Sequence, residues 1–288
     1  MEKKIILVTG ASSGIGKETA LTLAKQGHTI IMHGRDEKKT QQVFEEVKAE
    51  SGNADIYMYT ADLSLKAEVV KMADLIKDKF DHIDVLINNA GGQFGKQREV
   101  TVEGHEKTFA INVLAPFLLT NRLLPLVKKS KSGRIITVCS ESVRQGGKVL
   151  LDDIEFAEKY SISRSYGLTK RYAWWIMRQY AKNLQAAGIN NVTVNCLEPG
   201  SAITGLQRVS GEELMMKVVM ALWKPLFQSV EKAAQTSIYL ATSEEVEGVT
   251  GKFFGNCKEK TYPAKLVSDE GQKGIWDYCY KACSEYLE

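Results

Sequence analysis

Short apolar runs alternate with longer amphipathic stretches from the first residues onward. Ile5-Ile6-Leu7-Val8, Thr29-Ile30-Ile31-Met32, Ile56-Tyr57-Met58-Tyr59, Ile83-Asp84-Val85-Leu86-Ile87, Arg134-Ile135-Ile136-Thr137-Val138 and Val192-Thr193-Val194-Asn195 read as strands, and Gly251-Lys252-Phe253-Phe254 is a seventh. They are brief, rich in β-branched residues and mostly apolar on both faces, as strands of a parallel sheet must be when helices cover both sides. Between them, Gly16 to Gln26 places Ala20, Leu21, Leu23 and Ala24 near one stripe. Asp36 to Ser51 turns Val43, Phe44 and Val47 inward, and Leu65 to Phe80 repeats the pattern with Val69, Met72, Leu75 and Ile76. Strand and helix alternate at the period of a βαβ unit, which predicts an α/β fold with one doubly wound parallel sheet of about seven strands and helices on both faces. No Pro- or Gly-rich linker, low-complexity tract or repeat divides the chain, so residues 1–288 read as one domain.

Charge and cysteine usage narrow the setting. The 38 basic and 35 acidic residues leave a net charge of +3, too mild for a nucleic-acid partner, which shows as a concentrated basic face. Five cysteines (Cys139, Cys196, Cys257, Cys279, Cys283) form no C-x-x-C pair, and the four histidines lack metal-ligand spacing, so no metal site is expected. Cys279 and Cys283 share a helix face as two reduced residues. The apolar run Ile5 to Val8 is far shorter than a signal core or a membrane span. A cytoplasmic chain with no membrane span is the expectation.

The strongest local signal is Thr9-Gly10-Ala11-Ser12-Ser13-Gly14-Ile15-Gly16, directly after the first strand and opening the first helix. Glycines there allow a tight turn and a close approach to a pyrophosphate, while the helix start offers free N–H groups and a positive dipole end. The second strand ends Met32-His33-Gly34-Arg35-Asp36. An NAD site usually places a carboxylate there for the ribose hydroxyls, whereas a 2′-phosphate calls for an arginine, and Gly34-Arg35 points to NADP(H). Asp36 is the other candidate ribose ligand, in a shifted register. Asp62 and Leu63 end the third strand where an adenine could be met, and Asn88-Asn89-Ala90-Gly91 closes the fourth with small residues beside a cofactor. Tyr166-Gly167-Leu168-Thr169-Lys170 puts Tyr and Lys on one helix face, one turn apart. An ammonium at that distance favours the charge a phenol acquires when it gives up a proton, which suits acid/base work near neutrality.

With these pieces together, the chain resembles the short-chain dehydrogenase/reductase family in its compact single-domain, Rossmann-type subfamily, and is most similar to the retinol dehydrogenase-like branch. Branch-level signals are Gly14-Ile15-Gly16-Lys17-Glu18-Thr19-Ala20, Thr108-Phe109-Ala110-Ile111-Asn112-Val113-Leu114 and Val249-Thr250-Gly251-Lys252-Phe253-Phe254. The resemblance implies a catalytic set of Ser140, Tyr166, Lys170 and Asn112. Ser140 would hydrogen-bond the substrate oxygen, with Ser142 the alternative. Tyr166 would exchange the proton, Lys170 would tune it and bind the nicotinamide ribose, and Asn112 would hold a relay water or else bond locally within its helix. Gly10, Ser12, Ser13, Gly14, Ile15, Gly16, Arg35, Asp62, Leu63, Asn89, Ala90 and Gly91 would bind the dinucleotide with Tyr166 and Lys170. Pro199, Gly200 and Thr204 resemble the family's loop beside the nicotinamide amide, although Glu198 stands where the family has His or Asn.

Leu214, Met215, Met216, Val218, Val219, Met220, Leu222, Trp223, Leu226 and Phe227 make the region around 200–228 an apolar lid or a core-packed helix. A bulky lipophilic carbonyl or alcohol, retinal-like or a lipid aldehyde, is the expected small-molecule substrate. Tyr172, Trp174, Trp175, Ile176 and Met177 follow the lysine on its helix. Two adjacent tryptophans do not easily share one core, so a homodimer through this face is expected. A C-terminal extension runs over about 257–288. An NADPH-binding regulator with little turnover is the alternative function.

Overall fold

The computed structural model describes residues 2–200 and 229–287. The strands are β1 (Ile5–Val8), β2 (Thr29–Gly34), β3 (Ile56–Thr60), β4 (Val85–Asn88), β5 (Gly133–Val138), β6 (Val192–Glu198), β7 (Phe253–Gly255) and β8 (Lys258–Glu259). They form one sheet in the order β3-β2-β1-β4-β5-β6-β7-β8. β1 pairs in parallel with β2 through Leu7–Ile31 and with β4 through Leu7–Leu86. The strand order therefore reverses between β1 and β4, and ligands of doubly wound sheets bind outside the strand ends at such a point. About seven strands were expected, and the eighth is the two-residue β8, antiparallel to β7. Its turn residues Asn256 (φ 50°) and Cys257 (φ 58°) take left-handed conformations without a glycine, so the usual sequence sign of a tight hairpin is missing.

Both sheet faces are covered, which is why the strands are mostly apolar on both sides. Ile6, Val8, Ile30, Val85, Ile87 and Ile136 pack with α1 (Gly14–Lys25), α2 (Glu37–Ser51) and, past the undescribed segment, α7 (Val230–Thr242). Leu7, Ile31, Leu86, Ile135 and Val194 face the other way, onto α3 (Lys66–Lys79), α5 (Ala115–Lys128) and α6 (Ile162–Ala186). Leu75 departs from the expected stripe: Val69, Met72, Ala73 and Ile76 fill the buried face of α3, and Leu75 falls beside it at 49% exposure. A short α4 (Lys107–Phe109), a π-helical turn (Ala110–Leu114) and α5 run on as one helix. Length and composition alone would let Lys107–Lys128 cross a membrane, but 72% of its apolar window is buried inside the fold.

The expected dimer face is covered by the chain itself. α8 (Asp269–Ala282) and the turn before it pack on α6, and both tryptophans are buried, Trp174 at 3% and Trp175 at 2% exposure. Trp174 meets Phe253 and Tyr262 edge-on or tilted, with ring centroids 5.5 and 5.2 Å away. Trp175 donates from Nε1 to the Leu266 carbonyl at 2.9 Å. The premise that adjacent tryptophans do not easily share one core is corrected: both lie in one buried cluster, which the C-terminal extension completes with Tyr262, Leu266 and Ile275. Cys279 and Cys283, four apart on α8 and the residue after it, are buried free thiols in that same interface.

Candidate active site

The turn after β1 is built by close backbone approaches that only glycine permits. Gly10 has φ +68°, and a Cβ there would come within 2.9 Å of Ala90 Cα. At Gly16 a Cβ would lie 2.3 Å from the Gly10 carbonyl oxygen and 2.4 Å from Asn89 Nδ2. The strand-end segment Asn88–Gly91 is bonded to this turn. Asn89 donates its side-chain amide to the Thr9 carbonyl at 2.7 Å, and Thr9 Oγ1 accepts from the Asn89 and Ala90 amides, each at 2.9 Å. α1 starts at Ser13 with no side-chain cap, so its first N–H groups stay available, with Ser12, Gly14 and Ile15 in the same turn. A glycine cradle feeding an uncapped twelve-residue helix fits a pyrophosphate.

Arg35 lies exposed at the end of β2 and, among the described residues, makes no hydrogen bond or ion pair. Gly34 has no room for a larger side chain: a Cβ would sit 2.1 Å from Thr40 Oγ1 and 3.0 Å from Ser12 Cβ. Asp36, the shifted-register alternative, is the N-cap of α2 and accepts from the Lys39 amide at 2.8 Å. Just past β3, Asp62 Oδ1 accepts from the Ser64 amide and hydroxyl at 2.9 and 2.7 Å, its own amide donates to Glu68, and Leu63 is buried.

His33 is a site residue that the motifs did not reveal. It is fully buried in β2, and burial pushes its imidazole down to about 4, leaving it neutral. Nδ1 accepts from the Gly10 amide at 3.1 Å, so Nε2 carries the proton and donates to the Ala61 carbonyl at 3.1 Å. One side chain thus joins the glycine turn to the end of β3. Its only sequence sign is a polar residue at the inward end of an otherwise apolar strand.

The proposed chemistry-bearing residues meet at the ends of β4, β5 and α6. Lys170 is buried, donates from Nζ to the Val138 carbonyl at 2.9 Å, and lies 5.9 Å from the Tyr166 ring centre. A Cβ on Gly91 would come within 2.8 Å of Lys170 Nζ and 3.0 Å of Asn112 Oδ1, so these three residues converge. Asn112 sits in the π-helical turn, a distortion frequent at functional sites. Its Oδ1 accepts from the Gly92 amide at 2.9 Å, and its Nδ2 donates to the Gly92 carbonyl and to Thr169 Oγ1 at 3.0 and 3.1 Å. Ser140, half-buried after β5, accepts on Oγ from the Ser142 amide at 3.1 Å. Ser142, the alternative, is buried, and its hydroxyl has no partner among the described residues. α6 approaches this turn closely because residue 167 is glycine, where a Cβ would meet the Ser142 carbonyl oxygen at 3.0 Å.

Beyond β6, Gly200 has φ +78°, and its amide donates to Glu198 Oε2 at 2.8 Å across Pro199. Glu198 is 6% exposed, so the departure noted in the sequence is a buried carboxylate. Thr204 and the apolar residues 214–227 lie outside the described residues.

The model of the family described as short chain dehydrogenase matches residues 4–214. Human retinol dehydrogenase 14 is 35% identical over 96% of this chain and 85% of its own length. Human polyprenol dehydrogenase is 32% identical over 97% of the chain and 84% of its own length. Among solved structures, a short chain dehydrogenase from Shigella flexneri in complex with NADP is 25% identical, with a TM-score of 0.69 over 90% of this chain and 98% of that one. A protein from Mycobacterium paratuberculosis shares the fold, at 24% identity and a TM-score of 0.75 over 98% of this chain and 93% of that one.

Proposed function

The chain belongs to the short chain dehydrogenase family, in its retinol dehydrogenase-like branch, and on that premise we propose that it is an NADP(H)-dependent oxidoreductase with Tyr166 as the acid/base. Its substrate class is a bulky lipophilic aldehyde or ketone and the corresponding alcohol. The observation that carries this reading is the convergence of Lys170 and Asn112 on Gly91, one helical turn from Tyr166 and next to the glycine turn.

The nicotinamide, when bound, would supply or take up the hydride. Ser140 Oγ already accepts from the Ser142 amide, which leaves its O–H to donate to a substrate oxygen. Tyr166 would give that oxygen a proton in reduction and take one in oxidation. Lys170, fixed by the Val138 carbonyl, stands with its Nζ 5.9 Å from the Tyr166 ring centre, where it would hold the nicotinamide ribose and orient the tyrosine. Asn112, anchored to Gly92 and Thr169, would shape the back wall of the relay.

Gly10, Ser12, Ser13, Gly14, Ile15 and Gly16 would hold the pyrophosphate, Asp62 and Leu63 the adenine, and Asn89, Ala90, Gly91, Pro199 and Gly200 the nicotinamide half. The Arg35 guanidinium, unpaired among the described residues and beside a glycine with no space for an acid, supports the 2′-phosphate and so NADP(H). The Shigella flexneri relative was solved with NADP. The names of the two human relatives, retinol and polyprenol dehydrogenase, both point to long apolar alcohols.

NADPH and NADH oxidation measured against a panel of short, aromatic and long-chain aldehydes and ketones tests the reading. Turnover with NADPH, rising with the length of the apolar chain, is expected. Tight NADPH binding without turnover on any carbonyl would replace the reading with that of a cofactor-binding regulator.

A further inference from the structure

A charged cluster outside the motif residues ties the C-terminal segment to both sides of the active site. Lys260, just past β8, donates from Nζ to Glu198 Oε1 and to Glu141 Oε2, each at 2.9 Å. Glu198 precedes the Pro199–Gly200 turn and holds the Gly200 amide with its other oxygen. Glu141 directly follows Ser140, and its Oε2 also accepts from the Tyr262 hydroxyl at 2.9 Å. Arg144 pairs with Glu141 Oε1 and covers the Tyr262 ring, its guanidinium carbon 4.8 Å from the ring centre.

The fold leaves room for this cluster. Gly255 of β7 lies opposite Glu198 in the sheet, and a Cβ there would stand 2.5 Å from Glu198 Oε1 and 2.6 Å from Lys260 Cδ. Burial works against the Lys260 charge, but the Glu198 and Glu141 carboxylates outweigh it and hold the ammonium above the ordinary lysine value. Burial likewise opposes the Glu141 charge, and Lys260, Tyr262 and Arg144 hold that carboxyl below its ordinary value.

The two carboxylates belong to segments that must keep a fixed separation, the Ser140 turn and the Gly200 turn. Without the cation, a carboxylate only 6% exposed would face a second one across the gap. An uncompensated buried charge is costly enough to move a backbone segment instead. We propose that Lys260 is a positioning residue: its ammonium neutralises Glu198 and clamps the Ser140 turn to the Gly200 turn, so the C-terminal segment sets where a substrate oxygen meets the cofactor. The proposal rests on the oxidoreductase reading above for its kinetic consequence, and on the ion pairs alone for its structural one.

Four variants decide it: Lys260→Met, Lys260→Arg, Glu198→Gln and the Glu198→Gln/Lys260→Met pair, each checked for folding by thermal melting. Lys260→Met is expected to lower kcat about tenfold, with KM for the carbonyl and NADPH affinity changed less than about threefold, because what is lost is alignment and not binding. Lys260→Arg restores most of the rate. The double variant recovers part of it, since Glu198 no longer carries an unpaired charge while the bridge to Glu141 is still missing. Wild-type kcat in Lys260→Met, or a double variant worse than either single one, overturns the proposal. Amide exchange at residues 140–142, 198 and 200 is followed on the same samples and needs no turnover. If wild type itself reduces no carbonyl, the oxidoreductase reading falls while faster exchange in Lys260→Met, restored in Lys260→Arg, still sustains the clamp, and unchanged exchange overturns it.

Discussion

His33 accepts a hydrogen bond from the Gly10 amide at 3.1 Å, and through its other ring nitrogen donates to the Ala61 carbonyl at 3.1 Å. A buried neutral imidazole therefore serves as a spacer between the turn that would hold the pyrophosphate and the strand end that would meet the adenine. Protonation would put a second N–H against the Gly10 N–H, so the contact exists only in the neutral ring.

Stability should follow that protonation. In the unfolded chain His33 titrates near the ordinary 6.5, and in the folded protein burial pushes it down to about 4. The folded-state value is depressed, so the contribution is complete above pH 6.5 and is lost as pH falls from 6.5 toward 4, where the unfolded chain binds the extra proton. The full loss is roughly 3 kcal/mol. Urea melts of wild type and His33→Gln at pH 7.5, 6, 5 and 4.5 check this. Wild type is expected to lose more stability than the variant over that range, and parallel losses would remove His33 as the cause.

Arg35 is exposed and unpaired among the described residues, so its removal should cost the fold nothing measurable. Arg35→Ala is expected to weaken NADPH binding roughly 10- to 100-fold, the worth of a charge-assisted hydrogen bond, and NADH binding less than about twofold. Fluorescence titration with both cofactors gives the two numbers. Equal losses would show that the arginine does not read the 2′-phosphate.

The parts that were legible in the sequence are those governed by neighbours along the chain. Continuous apolar strands announced a sheet covered on both faces, and Gly10, Gly14 and Gly16 announced a turn that needs their missing side chains. The Tyr166–Lys170 spacing announced a shared helix face. What stayed hidden depends on contacts across many residues. β8 hangs on a turn at Asn256 and Cys257 that no glycine marks. Trp174 and Trp175 looked like an intermolecular face because their cover arrives some ninety residues later, at Leu266. That cover is held by Tyr278, whose hydroxyl donates to Glu155 Oε1 at 2.6 Å, beside His105 on the same oxygen at 2.8 Å. Lys260 reaches Glu141 and Glu198 from a segment with no periodic pattern at all.

The C-terminal cover gives a stability prediction. Trp175 is buried between α6 and the start of α8, where a Cβ on Gly271 would come within 2.6 Å of its ring. Trp175→Ala leaves a cavity there and orphans the Leu266 carbonyl, so a loss of about 3–5 kcal/mol is expected. Gly271→Ala, which would drive a methyl into the same ring, is also expected to destabilise, by about 1–3 kcal/mol. Denaturant titration of both variants checks the pair. A change below 1 kcal/mol in each would mean that the extension does not bury this helix in solution.

The sharpest test of the chemistry lies at Tyr166. Its neighbours are fixed independently of its hydroxyl: Lys170 by the Val138 carbonyl, Asn112 by Gly92 and Thr169, and Ser140 by the Ser142 amide. Removing one oxygen in Tyr166→Phe should therefore leave the site standing and take away only the proton donor. General acid/base catalysis supplies about 10²- to 10⁴-fold, so kcat is expected to fall by that factor or more. NADPH affinity should stay within about twofold, because the glycine turn and Lys170 are untouched. Lys170→Met differs in kind: it removes both the charge beside the ring and a contact proposed for the nicotinamide ribose, so kcat and NADPH affinity should fall together. Steady-state kinetics and cofactor titration on the two variants separate these outcomes. A Tyr166→Phe protein that keeps most of its turnover would move the proton to another group and undo the assignment of the acid/base.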